Sequence, residues 1–142
     1  MRRFSLGLLF LASTASGTVN AANPESGGIR LYSDICYHVE AGDVLGTRIA
    51  ILNLEDGPYV LYQEAQGDLG QAQIVRVDRK DIANSKLIFS IQDDGKSETF
   101  RGSITAERIT GRFDDNRTGV LGNAIFKLNR VMLPHRGFPD CR

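Results

Sequence analysis

Long apolar runs are almost absent from this 142-residue chain. The one candidate, Phe4 to Ala12, gives way to Ser13, Thr14 and Ser16, short of the ~18 or more apolar residues that a membrane-spanning helix needs. An excess of charge of one sign is missing too. The chain has 17 Lys and Arg against 17 Asp and Glu, and the signs alternate along its length, so no concentrated basic face marks a nucleic-acid partner. There is no Gly-x-Ser-x-Gly elbow and no free cysteine placed near a histidine, so the usual arrangements for nucleophilic catalysis are not evident. No stretch sustains a 3.6-residue apolar period long enough for an extended helix. The apolar and charged fractions, 42% and 24%, are those of an ordinary folded domain and do not indicate disorder.

What is present begins with an export pattern. Arg2 and Arg3 form a positive n-region, Phe4 to Ala12 an apolar h-region, and Val19-Asn20-Ala21 a small-residue exit. Residues 1–21 therefore read as a signal peptide, and N-terminal sequencing of the exported protein is expected to begin at Ala22 or Asn23. The first cysteine after the h-region is Cys36, too distant for a lipid-modified N-terminus. Loss of Arg2 and Arg3 leaves 15 basic against 17 acidic residues, still nearly neutral. Residues 22–28 are a Ser/Gly-containing lead-in, 29–131 a single domain and 132–142 a C-terminal tail. Export to a periplasmic or secreted, bacterial location predicts an oxidising environment. In such a compartment the only two cysteines, Cys36 and Cys141, are most simply one disulfide. That bond would tie the tail back over the first strand as a clasp.

Strand periodicity runs through the domain. From Ile29 to Val39 the residues Ile29, Leu31, Ile35, Tyr37 and Val39 share one parity, read as inward, and Arg30, Tyr32, Asp34, Cys36 and His38 share the other, read as outward. Seven further strands are expected: Thr47–Leu54, Tyr59–Glu64, Gln73–Asp78, Lys86–Gln92, Thr99–Ile104, Ile109–Asp114 and Ala124–Arg130. Arg79 to Asn84 holds at most one helical turn. Turn signals such as Glu55-Asp56-Gly57-Pro58, Gln66-Gly67-Asp68, Asp93-Asp94-Gly95-Lys96 and Asn116-Arg117-Thr118-Gly119 separate the strands and suit hairpins. The expected fold is all-β, a single antiparallel up-and-down barrel of about eight strands that hides its edges by closing, with a β-sandwich as the alternative. Phe100-x-Gly102-x-Ile104 and Ile109-x-Gly111-x-Phe113 mirror one another, and their central glycines leave room for a bend or for a large neighbouring ring.

These two mirrored strands, with Phe126-x-Leu128-x-Arg130, resemble the closing strands of calycin-like barrels, the group that includes lipocalins and avidin-like proteins. The resemblance covers about a third of the chain. It implies a lipocalin-like barrel in which Arg130 packs across one end. The chain departs from the lipocalin pattern in having no tryptophan for the first strand. In size, compartment and disulfide-pinned barrel it is also similar to small periplasmic lysozyme inhibitors, although Ser26-Gly27-Gly28 leads into Ile29 and Arg30 and does not match their inhibitory loop.

Acidic residues such as Asp43, Glu55, Asp56, Asp93, Asp94, Asp114 and Asp115 fall in expected turns, where they serve backbone hydrogen bonding more simply than glycoside hydrolysis. No catalytic residue and no cofactor is assigned. The clasp would draw His38 towards His135, a conceivable metal pair whose simpler reading is two solvated histidines. Tyr32 is expected on the polar face of the first strand, and Tyr59 and Tyr62 on opposite faces of another, as recognition or packing residues. The leading expectation is an exported, non-enzymatic binding protein. A small apolar ligand would then be lined by the inward residues Phe89, Ile91, Phe100, Ile104, Ile109 and Phe113. A protein-binding inhibitor or immunity factor acting on an envelope or secreted hydrolase, and an enzyme with a loop-borne acidic site, are the alternatives. Partners are thus an unknown small molecule or protein, with no nucleic acid and no membrane span in the mature chain.

Overall fold

In the computed structural model, residues 28–93, 95–114, 125–132 and 137–141 are described; the signal segment, the turn at 116–119, and His135 lie outside them. Nine strands form one antiparallel sheet: β1 (Ile29–Ser33), β2 (Cys36–His38), β3 (Asp43–Leu54), β4 (Gly57–Leu69), β5 (Gln73–Arg76), β6 (Lys86–Asp93), β7 (Lys96–Ile104), β8 (Arg108–Phe113) and β9 (Phe126–Val131). The order is β5-β4-β3-β1-β9-β8-β7-β6, with the short β2 added to β3. The first and last long strands pair, Tyr32 opposite Arg130, so the up-and-down meander closes at its termini. The barrel is nearly complete, and its seam lies between β5 and β6.

A short helix, α1 (Arg79–Ala83), crosses that seam at one end. Asp78 caps it, its Oδ1 accepting from the Lys80 amide at 2.7 Å, which fixes where the helix begins. Ile82 packs on the core beside Val77 and closes this end of the barrel. The other end carries the β4–β5 and β6–β7 connections. There the seam is bridged by a side chain: Gln73 Nε2 donates to the Gln92 carbonyl at 2.8 Å, and the Gln92 amide donates back to Gln73 Oε1 at 2.9 Å. One glutamine amide thus stands in for a rung of the ladder.

The core is aromatic and filled. Phe100 and Phe89 stack with centroids 5.0 Å apart, and Phe113 meets Phe100 edge-on at 5.4 Å and Tyr62 at 5.5 Å. Ile49, Ile51, Leu87, Ile109 and Leu128 complete it, each with no exposed surface. The mirrored strands β7 and β8 pair residue for residue, Phe100 with Phe113, Gly102 with Gly111 and Ile104 with Ile109. The Phe100 ring lies over the two glycines. A Cβ on Gly102 would come within 2.8 Å of Phe100 Cε1, and one on Gly111 within 2.5 Å of Phe100 Cζ.

Within β1 the parity is inverted relative to the sequence reading, while at the break Ile35 is buried as expected. Tyr32 is fully buried, whereas Ile29 and Val39 are 59% and 62% exposed and Tyr37 is exposed. The strand also breaks at Asp34 and Ile35, separating β1 from β2. The inversion follows from what a phenol can do at a barrel end: its ring packs on the core while its hydroxyl reaches out, here donating to the Thr105 carbonyl at 2.7 Å. At the break, the Asp34 carboxylate accepts from the Thr47 amide at 2.6 Å. Gly46, with φ +114°, admits the Asp34 backbone so closely that a Cβ there would lie 2.8 Å from its carbonyl oxygen.

Tyr32 and Arg130 meet at one end of the barrel, paired across β1 and β9. Arg130 Nη1 donates to the Ala106 carbonyl at 3.4 Å, and its backbone amide donates to the Glu107 carbonyl at 2.7 Å, so both side chains reach the β7–β8 connection. Burial pushes the Tyr32 phenol above its ordinary value of 10.0, while the Arg30 and Arg130 guanidinium groups oppose the rise. The folded protein therefore holds this proton more tightly than the unfolded chain. Its contribution is fully present below about pH 10 and is lost as pH rises through the folded value. Absorbance titration is expected to show phenol ionisation above the ordinary tyrosine range, and Tyr32→Phe should remove one phenol's share of it at a cost of about 0.5–1.5 kcal/mol for the lost hydrogen bond.

The clasp is present. Cys36 and Cys141 are bonded, with Cα atoms 4.9 Å apart. The tail runs parallel to β2: the Tyr37 amide donates to the Pro139 carbonyl at 2.7 Å and the Cys141 amide to the Tyr37 carbonyl at 2.9 Å. It is strapped to β2 and not to the longer first strand. No helix among the described residues is long and apolar enough to cross a membrane.

Candidate functional site

A cleft of about 370 Å³ opens at the end of the barrel opposite α1, lined by Tyr62, Glu64, Gln66, Asp68, Gly70, Gln71, Gln73, Ile91 and Gln92. Four pieces of chain build it, among them β5, which supplies Gln73. The inward face of β4 supplies Tyr62, Glu64 and Gln66, since these share the parity of the buried Val60. The β4–β5 connection supplies Gly70 and Gln71, and is drawn tight where the Gly70 amide donates to the Glu64 carbonyl at 2.8 Å. Gln63, on the outer face, fastens the same point by donating from Nε2 to the Gly70 carbonyl at 2.6 Å. The end of β6 supplies Ile91 and Gln92.

The floor is apolar but closed, because Tyr62 and Ile91 are 3% and 2% exposed. Polar groups above it are already ordered. Tyr62 Oη donates to Glu64 Oε2 at 3.2 Å and Gln66 Nε2 donates to Glu64 Oε1 at 3.0 Å, so one carboxylate orients a phenol and an amide. Asp68, Gln71 and Gln92 are exposed at the rim. Among the described residues no histidine, serine, cysteine, lysine or arginine lines this cleft.

The six inward residues expected to line a ligand chamber, Phe89, Ile91, Phe100, Ile104, Ile109 and Phe113, all sit inside the barrel and are at most 3% exposed. They belong to one packed cluster, and only Ile91 touches the cleft. Tyr59 and Tyr62 lie on opposite faces of β4, as expected, with Tyr62 the buried one; Tyr32, expected on the polar face, is buried instead, and both buried phenols have a polar partner within reach of the core. Tyr59 is half-buried on the outer face, and its hydrogen bond to Asp56 together with that residue's charge raises its phenol. His38 turns back on its own hairpin, Nδ1 accepting from the Ala41 amide at 3.2 Å. Among the described residues no group of three or more His, Cys, Asp or Glu is placed to hold a metal ion, and His135 lies outside them.

Two of the acids expected to serve backbone hydrogen bonding take side-chain partners instead: Asp56 accepts from the Tyr59 phenol, and Asp114 pairs with Arg101 Nε at 3.0 Å. Apart from Ile91 and Tyr62, the cleft residues escaped the sequence reading, in which Gln66-Gly67-Asp68 was a turn; these three lie in β4, which runs on to Leu69. The available signal was the density of glutamine, at 63, 66, 71 and 73. Compared with family models, curated proteins and solved structures, the chain matches none.

Proposed function

We propose that this is an exported, non-enzymatic binding protein that engages its ligand at the polar mouth of a filled barrel. The observation that carries the reading is the contrast between the two ends of the interior. Rings and aliphatic side chains occupy the centre with no exposed surface, whereas an ordered set of amides and carboxylates surrounds an open cleft at the mouth. An apolar ligand would have to displace Phe89, Phe100 and Phe113 from one another; a polar ligand needs no such rearrangement. The signal pattern at residues 1–21 and the Cys36–Cys141 bond support a periplasmic or secreted location. The Tyr32–Arg130 pairing supports kinship with calycin-like barrels.

The inhibitor reading has one specific observation in its favour: Tyr37, Val39 and Phe138 are exposed around the clasp, where Pro139 bonds to Tyr37. A single experiment separates the two. Mature protein is used for affinity capture from native periplasm or culture fluid beside a mouth variant, Asp68→Lys with Gln71→Lys, and a clasp-face variant, Tyr37→Ser with Val39→Ser. The mouth variant is expected to lose the species retained by the wild type. Loss confined to the clasp-face variant would instead establish the inhibitor surface.

A further inference from the structure

Building on the mouth as the binding site, we infer that its ligand is an uncharged saccharide. The argument is one of matching donors and acceptors. Four of the nine described lining residues are glutamines; Gln73 is committed to the Gln92 backbone, and Gln66, Gln71 and Gln92 remain, each with a primary amide that presents a donor and an acceptor in one plane. A sugar hydroxyl is likewise both donor and acceptor, and an acetamido substituent is itself an amide. Anionic ligands offer acceptors only, and would meet Glu64 and Asp68 with no lysine or arginine among the described lining residues to offset them. Cationic ligands offer donors only. Asp68 could receive one such donor, but the NH₂ groups of Gln66, Gln71 and Gln92 would be left unmatched, and both Glu64 oxygens already accept, from Tyr62 and from Gln66.

A peptide main chain also carries donors and acceptors, but the mouth does not present a strand edge to receive one. At Gln92, the β6 residue in the cleft, both the amide and the carbonyl are taken by the Gln73 side chain. Peptide side chains would find no apolar pocket either, because Ile91 and Tyr62 are nearly sealed. The cleft volume of about 370 Å³ lies at the small end of ligand sites, which run to roughly 300–1,000 Å³, and suits a short saccharide or the end of a longer one.

The test uses the full mature protein, ¹⁵N-labelled, titrated with cellobiose, maltose and N,N′-diacetylchitobiose, with N-acetyl-lysine amide and acetate as charged controls. At least one neutral saccharide is expected to give saturable shifts at the side-chain amides of Gln66, Gln71 and Gln92, unchanged by added salt. Gln71→Ala combined with Gln92→Ala, both exposed and outside the core, should weaken that binding about tenfold or more without moving the thermal midpoint. Saturable, salt-sensitive shifts with the lysine derivative alone would overturn the saccharide assignment, as would silence across all three sugars. If the mouth variant still loses a captured species in either case, the mouth remains the binding site and only the ligand class is wrong.

Discussion

Replacing Phe100 with alanine is expected to destabilise the mature protein by about 3–5 kcal/mol, a large share of the roughly 5–15 kcal/mol that holds a domain of this size folded. Phe100 has no exposed surface and touches the rings of Phe89, Phe113 and Phe126, so its removal leaves a cavity that these rings cannot collapse into without breaking their mutual contacts. The same ring occupies the space above Gly102 and Gly111. Gly111→Ala should therefore be destabilising by itself, because the new methyl meets Phe100 Cζ and backbone on both sides. In the pair Gly111→Ala with Phe100→Leu, the shorter side chain withdraws the atom that clashes, and the combined loss is expected to fall short of the sum of the single losses. Urea denaturation of the four proteins reads this directly. A Phe100→Ala cost under about 1 kcal/mol would mean that the rings line an open chamber and do not form a packed core.

The second large effect is that of the clasp. The Cys36–Cys141 bond spans a sequence separation of 105 residues, for which the chain-entropy argument gives about 4–5 kcal/mol of stabilisation through restriction of the unfolded chain. Replacing both cysteines with serine should lower the thermal midpoint by about 10–20 °C. The strand signature in far-UV circular dichroism should survive, since the filled core contains neither cysteine. Both cysteines are half-buried and lie outside the main cluster, so the serines create no large cavity. Peptide mapping without reductant should recover the two cysteine peptides linked. A double variant that melts with the wild type would show that the tail contributes nothing to folding.

Most of the fold was legible because its signals are local. The Phe-x-Gly-x-Ile and Ile-x-Gly-x-Phe segments announce two strands, their inward face and their mirrored register, and the one helical turn falls within Arg79 to Asn84, capped by Asp78, which was read as strand. The first strand was read in the wrong sense for a reason equally local. In Ile29-Arg30-Leu31-Tyr32-Ser33 both parities hold large side chains with apolar surface, and the choice rests on a hydroxyl that finds its partner at Thr105, 73 residues away. Burial of Tyr62 was hidden in the same way, although Glu64 lies only two residues on. The candidate site was the least legible part. Gln73 and Gln92 have no sequence relation to each other, and only closure of the barrel brings one side chain to the backbone of the other.

The central claim is that ligand is engaged at the mouth of a barrel whose interior is full. Hydrogen exchange, read residue by residue on the mature protein with and without the small-molecule fraction of its native compartment, tests it most directly. The account predicts added protection confined to residues 64–73 and 91–92, with the amides beside Phe89, Phe100 and Phe113 protected equally in both states. Ligand-dependent protection centred on those phenylalanines, with the mouth unchanged, would contradict it.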